Sequence, residues 1–211
     1  MTKEEVVPLD LLDPAHVRRR ARSTAIAAVV VAGFFGGVVG LLAGRTAGLV
    51  TAAVVGVPLL LLAWSEARRC TWLADGVVSV RALGTRQVDL RRATSLEVLV
   101  TDVRGMRTVG LLVSGPPRGK TINLALAMYA GTGGRELGVL ALRRLADTLA
   151  GTGEATGLVF SELLVAQLRA EARGEPAPAR PLYRLASSAP QGRLAQRLRS
   201  DAVARFVASL D

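Results

Sequence analysis

Apolar and polar positions divide this chain into two textures. From Ser23 to Trp64, 42 residues carry one charge, Arg45, and the apolar positions favour no single face. A helix that is apolar all round suits lipid, whereas a helix of a soluble protein keeps a polar stripe. The pattern predicts two membrane-spanning helices, 23–44 and 47–64, joined by a very short turn. Both approach the ~20 residues that cross a bilayer. A cleaved signal peptide would stop after a shorter apolar stretch, and here a second span follows at once.

From Cys70 onward the texture changes to short alternating runs broken by turn residues. Asp75-Gly76 marks a hairpin between Thr71–Leu73 and Val77–Ala82. Further strands are expected over Gln87–Leu90, Leu96–Thr101, Thr108–Ser114 and Thr121–Leu126, with a polar break at Asp102–Arg107. Six short strands in some sixty residues predict a small antiparallel barrel or sandwich. Gly131–Gly134 reads as a flexible loop. A helix over Arg135–Ala150 then carries Leu142, Leu145, Ala146 and Leu149 on one face, with Gly151 as its stop.

Beyond 150 a helical tail is expected. Ser161 reads as a cap with Phe160 stapled to Val165, Glu175–Pro181 as a linker, and Ser200 as the cap of a last helix bearing Val203, Phe206, Val207 and Leu210. At the other end, Asp13 reads as an N-cap with Pro14 in the first helical position. The boundaries are therefore 1–22, 23–64, 66–150 and 151–211, the last containing the linker 175–181.

Charge orients the apolar block. Arg18, Arg19, Arg20 and Arg22 precede the first span, and Arg68 and Arg69 follow the second. The turn has only Arg45. The positive-inside rule puts both termini in the cytoplasm, in a multi-pass protein of the cytoplasmic membrane. Small residues set the packing. Gly36, Gly40 and Gly44 recur every four residues, Gly33 and Gly37 form a second such pair, and Gly48, Ala52 and Gly56 make the matching stripe. These stripes either pack the hairpin on itself or build a homodimer. Pro58 is expected to kink the second helix. No Asp, Glu, Lys or His lies within either span, which argues against an ion or proton pathway through this chain.

The chain has a net charge of +10, and of its 27 basic residues only Lys3 and Lys120 are lysine. That balance suits an anionic leaflet. No nucleic-acid motif accompanies it and aromatic residues are sparse, so no nucleic acid is expected as partner. His16 is the only histidine and Cys70 the only cysteine. Histidine triads, multi-histidine metal sites and internal disulfides are thereby excluded within one chain. Cys70 reads as a buried structural thiol, with S-acylation the alternative for a residue beside a span.

Ser114–Thr121 (SGPPRGKT) imitates a phosphate-binding loop. The motif GxxxxGK[ST] needs glycine where Ser114 stands, and a helix after the lysine, whereas TINLAL is strand-like. A glycine–proline hairpin turn is the expectation. No catalytic residues, cofactor or metal are expected.

The run Thr71–Val98 (TWLADGVVSVRALGTRQVDLRRATSLEV), followed by more strands and one amphipathic helix, resembles the opening meander of bacterial pleckstrin-homology-like (PH-like) domains. The whole layout resembles actinobacterial membrane proteins with two transmembrane helices and such a cytoplasmic domain. The resemblance covers about Arg68–Ala150 and implies an α+β fold, a PH-like barrel capped by its last helix. It implies a non-enzymatic binding module whose partner is a protein or a second copy. The alternative is an adaptor that senses anionic lipid through loop arginines, the candidate anion contacts being Arg81, Arg86, Arg91, Arg92, Arg104 and Arg107.

Overall fold

The structure is a computed structural model that describes residues 6–12, 14–82, 84–116, 119–152, 154–190 and 194–210. It divides into two compact units. One comprises Met1–Leu11, Cys70–Val80 and Thr85–Asp211, and the other Leu12–Arg69 with Arg81–Gly84. The proposed cap Asp13 lies outside the described residues.

The helical unit is a pair, α1 (Pro14–Ala43) and α2 (Arg45–Ala67). Gly44 alone joins them, at φ +93, a left-handed conformation that a side chain would strain. Arg45 is thus the first residue of α2. Apolar stretches long enough to cross a membrane run over Ala21–Ala43 (23 residues) and Arg45–Ser65 (21 residues), each only 17% buried. The core helices of a soluble protein would be mostly buried. Small side chains form the seam: Ala28 and Ala32 are buried, and Gly36 and Gly40 continue their four-residue spacing. A Cβ placed on Gly48 would stand 2.5 Å from the Gly36 carbonyl oxygen and 2.6 Å from Gly40 Cα. The large side chains Phe34, Leu41, Leu42, Leu49 and Val54 point outward. Helix α2 continues through Pro58.

The second unit holds two sheets. Strands β1 (Val7–Pro8), β2 (Cys70–Ala74), β3 (Val77–Arg81) and β4 (Thr85–Asp89) make the first, in that order. The second runs β8 (Gly133–Glu136), β7 (Lys120–Ala130), β6 (Met106–Gly115), β5 (Ser95–Val103) and β9 (Ala195–Leu198), and its neighbours pair antiparallel. The expected closed barrel is not formed: each sheet keeps two edges, β1 and β4 in one, β8 and β9 in the other. Helices α3 (Val139–Ala150), α4 (Ala155–Ala172), α5 (Pro181–Ser188) and α6 (Ser200–Ala208) share the core with both sheets, so the apolar faces are covered without closure.

Alternation decides which strand residues go inside. Leu96, Val98 and Val100 of β5, Val109, Leu111 and Val113 of β6, and Ile122, Leu124 and Leu126 of β7 are buried. They join Leu73, Val78 and Val88 of the first sheet, Leu142, Leu145 and Leu149 of α3, Phe160, Leu163 and Leu164 of α4, Leu182 and Leu185 of α5, and Val203 of α6. Two tight turns set the registers. Asp75-Gly76 (φ 49 and 80) and Arg104-Gly105 (φ 55 and 77) both take the left-handed conformations that match strand twist. The second lies inside the expected polar break, where β5 and β6 in fact stay paired out to Val103 and Met106.

Several local expectations change. The helix expected from Arg135 starts at Val139, because Gly133–Glu136 pairs with β7 as strand β8 rather than forming a flexible loop. The helix expected at Ser161 starts at Ala155; Ser161 is buried, and its hydroxyl donates to the Ala146 carbonyl of α3 at 3.0 Å. Ser200 is the first residue of α6, with Arg199 in the cap position. Strand β9 has no counterpart in the sequence reading. The segment 175–181 holds a short 3-10 turn, Ala177–Ala179, and leads into α5.

Candidate functional site

Connectivity gives the first sheet two distinct ends. Strand β2 begins at Cys70, just after α2, and β1 pairs antiparallel with it, Val7 opposite Leu73 and Pro8 opposite Trp72. The Asp10 carboxylate, four residues before α1, accepts the Thr71 amide at 2.9 Å, so β1 ends level with the start of β2. A two-residue turn brings β3 back alongside β2 and returns Arg81 to the level of Cys70. Strand β4 departs from that level, and its end reaches the turn at the opposite end, where the Leu90 amide donates to the Gly76 carbonyl at 2.9 Å.

The six candidate anion-contact arginines therefore do not meet. Arg81 and Arg86 stand exposed at the junction end. Arg91 and Arg92 stand at the far end, Arg91 over Gly76 and Arg92 4.0 Å from Asp89. Arg104 occupies the β5–β6 turn. Arg107 is half-buried between Asp102 (3.4 Å) and the Ala186 carbonyl (3.2 Å), where it ties α5 to β6. Of the topology arginines, Arg19, Arg22, Arg68 and Arg69 are exposed, and Arg68 lies 4.3 Å from the centre of the Trp64 ring. The side chains of Arg18 and Arg20 lie outside the description. Of the glycine stripes, Gly36, Gly40, Gly48, Ala52 and Gly56 lie in the helix seam and Gly44 makes the turn. Gly33 and Gly37 have open space where a Cβ would be. Cys70 is exposed rather than a buried thiol, because it opens an edge-proximal strand directly after α2.

A cleft of about 690 Å3 lies between β1 and α3. Val6, Val139 and Leu140 on its walls are exposed, Leu140 at 77%, beside Arg143, Arg144, Asp10 and Asp147. This concentrates apolar surface beside a sheet edge. That edge is blunted. The Leu9 amide points into the sheet, to the Thr71 carbonyl at 2.8 Å, so the neighbouring nitrogen of Pro8 faces outward and has no hydrogen to donate.

A second cluster went unnoticed in the sequence. Glu136, on β8, accepts the Tyr129 hydroxyl at 2.6 Å and the Arg180 guanidinium at 2.5 Å, with its side chain 9% exposed. The Tyr129 and Tyr183 rings meet edge to face at 5.0 Å, and the Tyr183 hydroxyl donates to the Gly131 carbonyl at 3.0 Å. Burial, then the hydrogen bond and negative charge of Glu136, push the Tyr129 phenol far above its ordinary value. The hydrogen bond to Glu136 likewise raises Arg180. Next to this cluster the buried Gln167 carbonyl oxygen caps α5, accepting the Leu182 amide at 3.0 Å. These contacts fasten residues 180–183 to the second sheet and α5 to α4. The only sequence signal for them is a glutamate and an arginine 44 positions apart, which no local pattern connects.

The phosphate-loop lookalike is a β6–β7 connection. Ser114 and Thr121 face each other across the ladder with hydroxyl oxygens 2.8 Å apart, and Lys120 opens a strand, not a helix. Among the described residues no group of three His, Cys, Asp or Glu side chains is placed to hold a metal.

Compared with known proteins, the chain matches no family model, no curated protein and no solved structure.

Proposed function

We propose that this chain is a membrane-anchored, non-enzymatic binding module. Helices α1 and α2 cross the cytoplasmic membrane twice and keep both termini in the cytoplasm, as the arginines on either side of the pair favour. The unit behind them is PH-like and presents a surface to a protein partner or to a second copy. The order of seven strands, β2 to β8, followed by α3 supports that relationship. The observation that carries the binding role is the β1–α3 cleft, where Val6, Val139 and Leu140 expose apolar surface on an otherwise well-packed unit.

Crosslinking and affinity capture from native membranes tests the reading. The full chain should remain in the membrane after carbonate washing and retain a reproducible neighbour, itself included, that Leu140→Asp releases. Extraction by carbonate would remove the anchor, and identical capture by Leu140→Asp would remove the cleft from the interface. The second reading, contact with anionic lipid, is favoured by one placement: Arg81 and Arg86 stand at the sheet end nearest the chain connections to α1 and α2.

A further inference from the structure

We infer that the β1–α3 cleft receives a second copy of this chain, packed about a two-fold axis so that each copy seats its Leu140 against the other's cleft. This commits the binding-module reading, on which it rests, to one partner. The cleft, about 690 Å3, lies wholly within the β-unit. A two-fold contact uses the same patch on both copies, so that patch must carry a knob and a hole, and both signs of charge. Leu140 is the knob, 77% exposed on α3 with Val139 beside it, and Val6, Val7 and Leu137 line the space next to them. Arg143 and Asp147 follow Leu140 by three and seven positions, a spacing that keeps all three on one side of the helix. Both are exposed, and neither forms an ion pair among the described residues.

Charge selects the occupant. The chain carries 27 basic and 17 acidic residues, so an acidic partner would be drawn to its surplus of arginine. At the cleft the signs balance: Arg143 and Arg144 stand with Asp10 and Asp147. A copy of the same patch meets that balance. With the two α3 helices antiparallel, Arg143 of each copy runs toward the partner's Asp147. Two chains of net charge +10 repel over most of their surfaces, and a balanced patch is where they can approach. The sheet edge points the same way. Pro8 offers no outward N–H, so an incoming strand cannot extend the ladder there, and an apolar helix face laid into the cleft is the contact that remains.

The test coexpresses two full chains with different affinity tags, takes them from membranes in mild detergent, captures one tag and measures the other. Wild-type copies should be captured together. With Arg143→Asp on both copies, capture should fall about tenfold, because aspartate then meets the partner's Asp147, and Asp147→Arg on both should do the same. One copy with Arg143→Asp and one with Asp147→Arg should restore it, since both cross-pairs are again opposite in sign; damage to the fold would not be repaired this way. Leu140→Asp on both copies should also abolish capture. All these positions are exposed, so each variant should melt with the wild type. Failure of wild-type copies to be captured together overturns the inference. If a different protein is then retained and Leu140→Asp releases it, the cleft serves that protein and the binding-module reading stands. Capture that survives Leu140→Asp and both single reversals, as a contact through Gly33 and Gly37 of α1 would, overturns the inference, as does a mixed pair that does not recover. A chain extracted by carbonate overturns the anchored reading itself, a failure distinct from the others.

Discussion

The two units bury opposite kinds of residue. In the helical pair the seam is alanine and glycine, while Phe34, Leu41 and Leu49 face outward. In the β-unit Leu145, Phe160 and Leu163 are inside, and arginine is the commonest exposed residue of its strands and helices. In water, burying large apolar side chains drives folding at roughly 25 cal/mol per Å2. Between helices in lipid that drive is missing, and close backbone approach replaces it. The difference is the one expected of a helical pair suited to lipid beside a unit suited to water.

Truncation on each side breaks the comparison if it is mistaken. Leu145→Ala, fully buried in α3, should cost about 3 kcal/mol in urea unfolding of the β-unit. Leu41→Ala, 90% exposed on α1, should leave unfolding of the chain in detergent within about 0.5 kcal/mol. Comparable losses from both would mean that α1 is a water-facing core helix. Enlargement reverses the roles. Gly48→Val should force the helices apart, costing about 2 kcal/mol and lengthening spin-label distances across the pair, whereas Gly37→Val, with open space around it, should leave those distances unchanged.

The buried polar clasp sharpens the picture of the β-unit. Glu136→Gln leaves the partly exposed Arg180 without its counter-charge, and a loss of about 1–2 kcal/mol is expected, discounted for solvent access to Arg180. Restoring an apolar pair with Glu136→Leu and Arg180→Met should recover part of it. The phenol adds a pH dependence of determinate sign. The folded pKa of Tyr129 lies above the unfolded one, so the folded state keeps a proton that the unfolded chain releases. Stability is complete below about pH 10 and falls at up to about 1.4 kcal/mol per unit above it. Denaturation curves at pH 9 and 11 should show this slope, and Tyr129→Phe should flatten it; equal slopes would place Tyr129 in water. The smallest effect is expected at Arg104→Gly, which keeps the left-handed turn conformation and should shift stability by less than about 0.5 kcal/mol.

Much of the architecture was legible because it is written in neighbouring residues. The apolar block, the Asp75-Gly76 turn, the alternation of β5 through β7 and the apolar face of α3 all follow from rules with a reach of a few positions. The arginine cluster was not legible. Arg81, Arg86, Arg91 and Arg92 crowd one stretch of sequence, yet the ladder carries them to opposite ends of a sheet. Strand β9 was also hidden, because Ala195–Leu198 carries no strong alternation and exists as a strand only where β5 offers it an edge.

The sequence by itself determined that residues 23–64 are apolar on all faces while the strands beyond Cys70 alternate, since that pattern is set within a single helix or strand. It also determined where the tightest turns fall, since glycine alone relieves a left-handed backbone without cost. Only the tertiary structure decided that residues 155–210 complete the core rather than trail from it, through Phe160, Leu182 and Val203. It alone decided that Glu136 meets Arg180 and that Arg107 meets the Ala186 carbonyl. Those outcomes depend on contacts between residues tens of positions apart, and such contacts are settled by how the elements pack together, not by the preferences of any one of them.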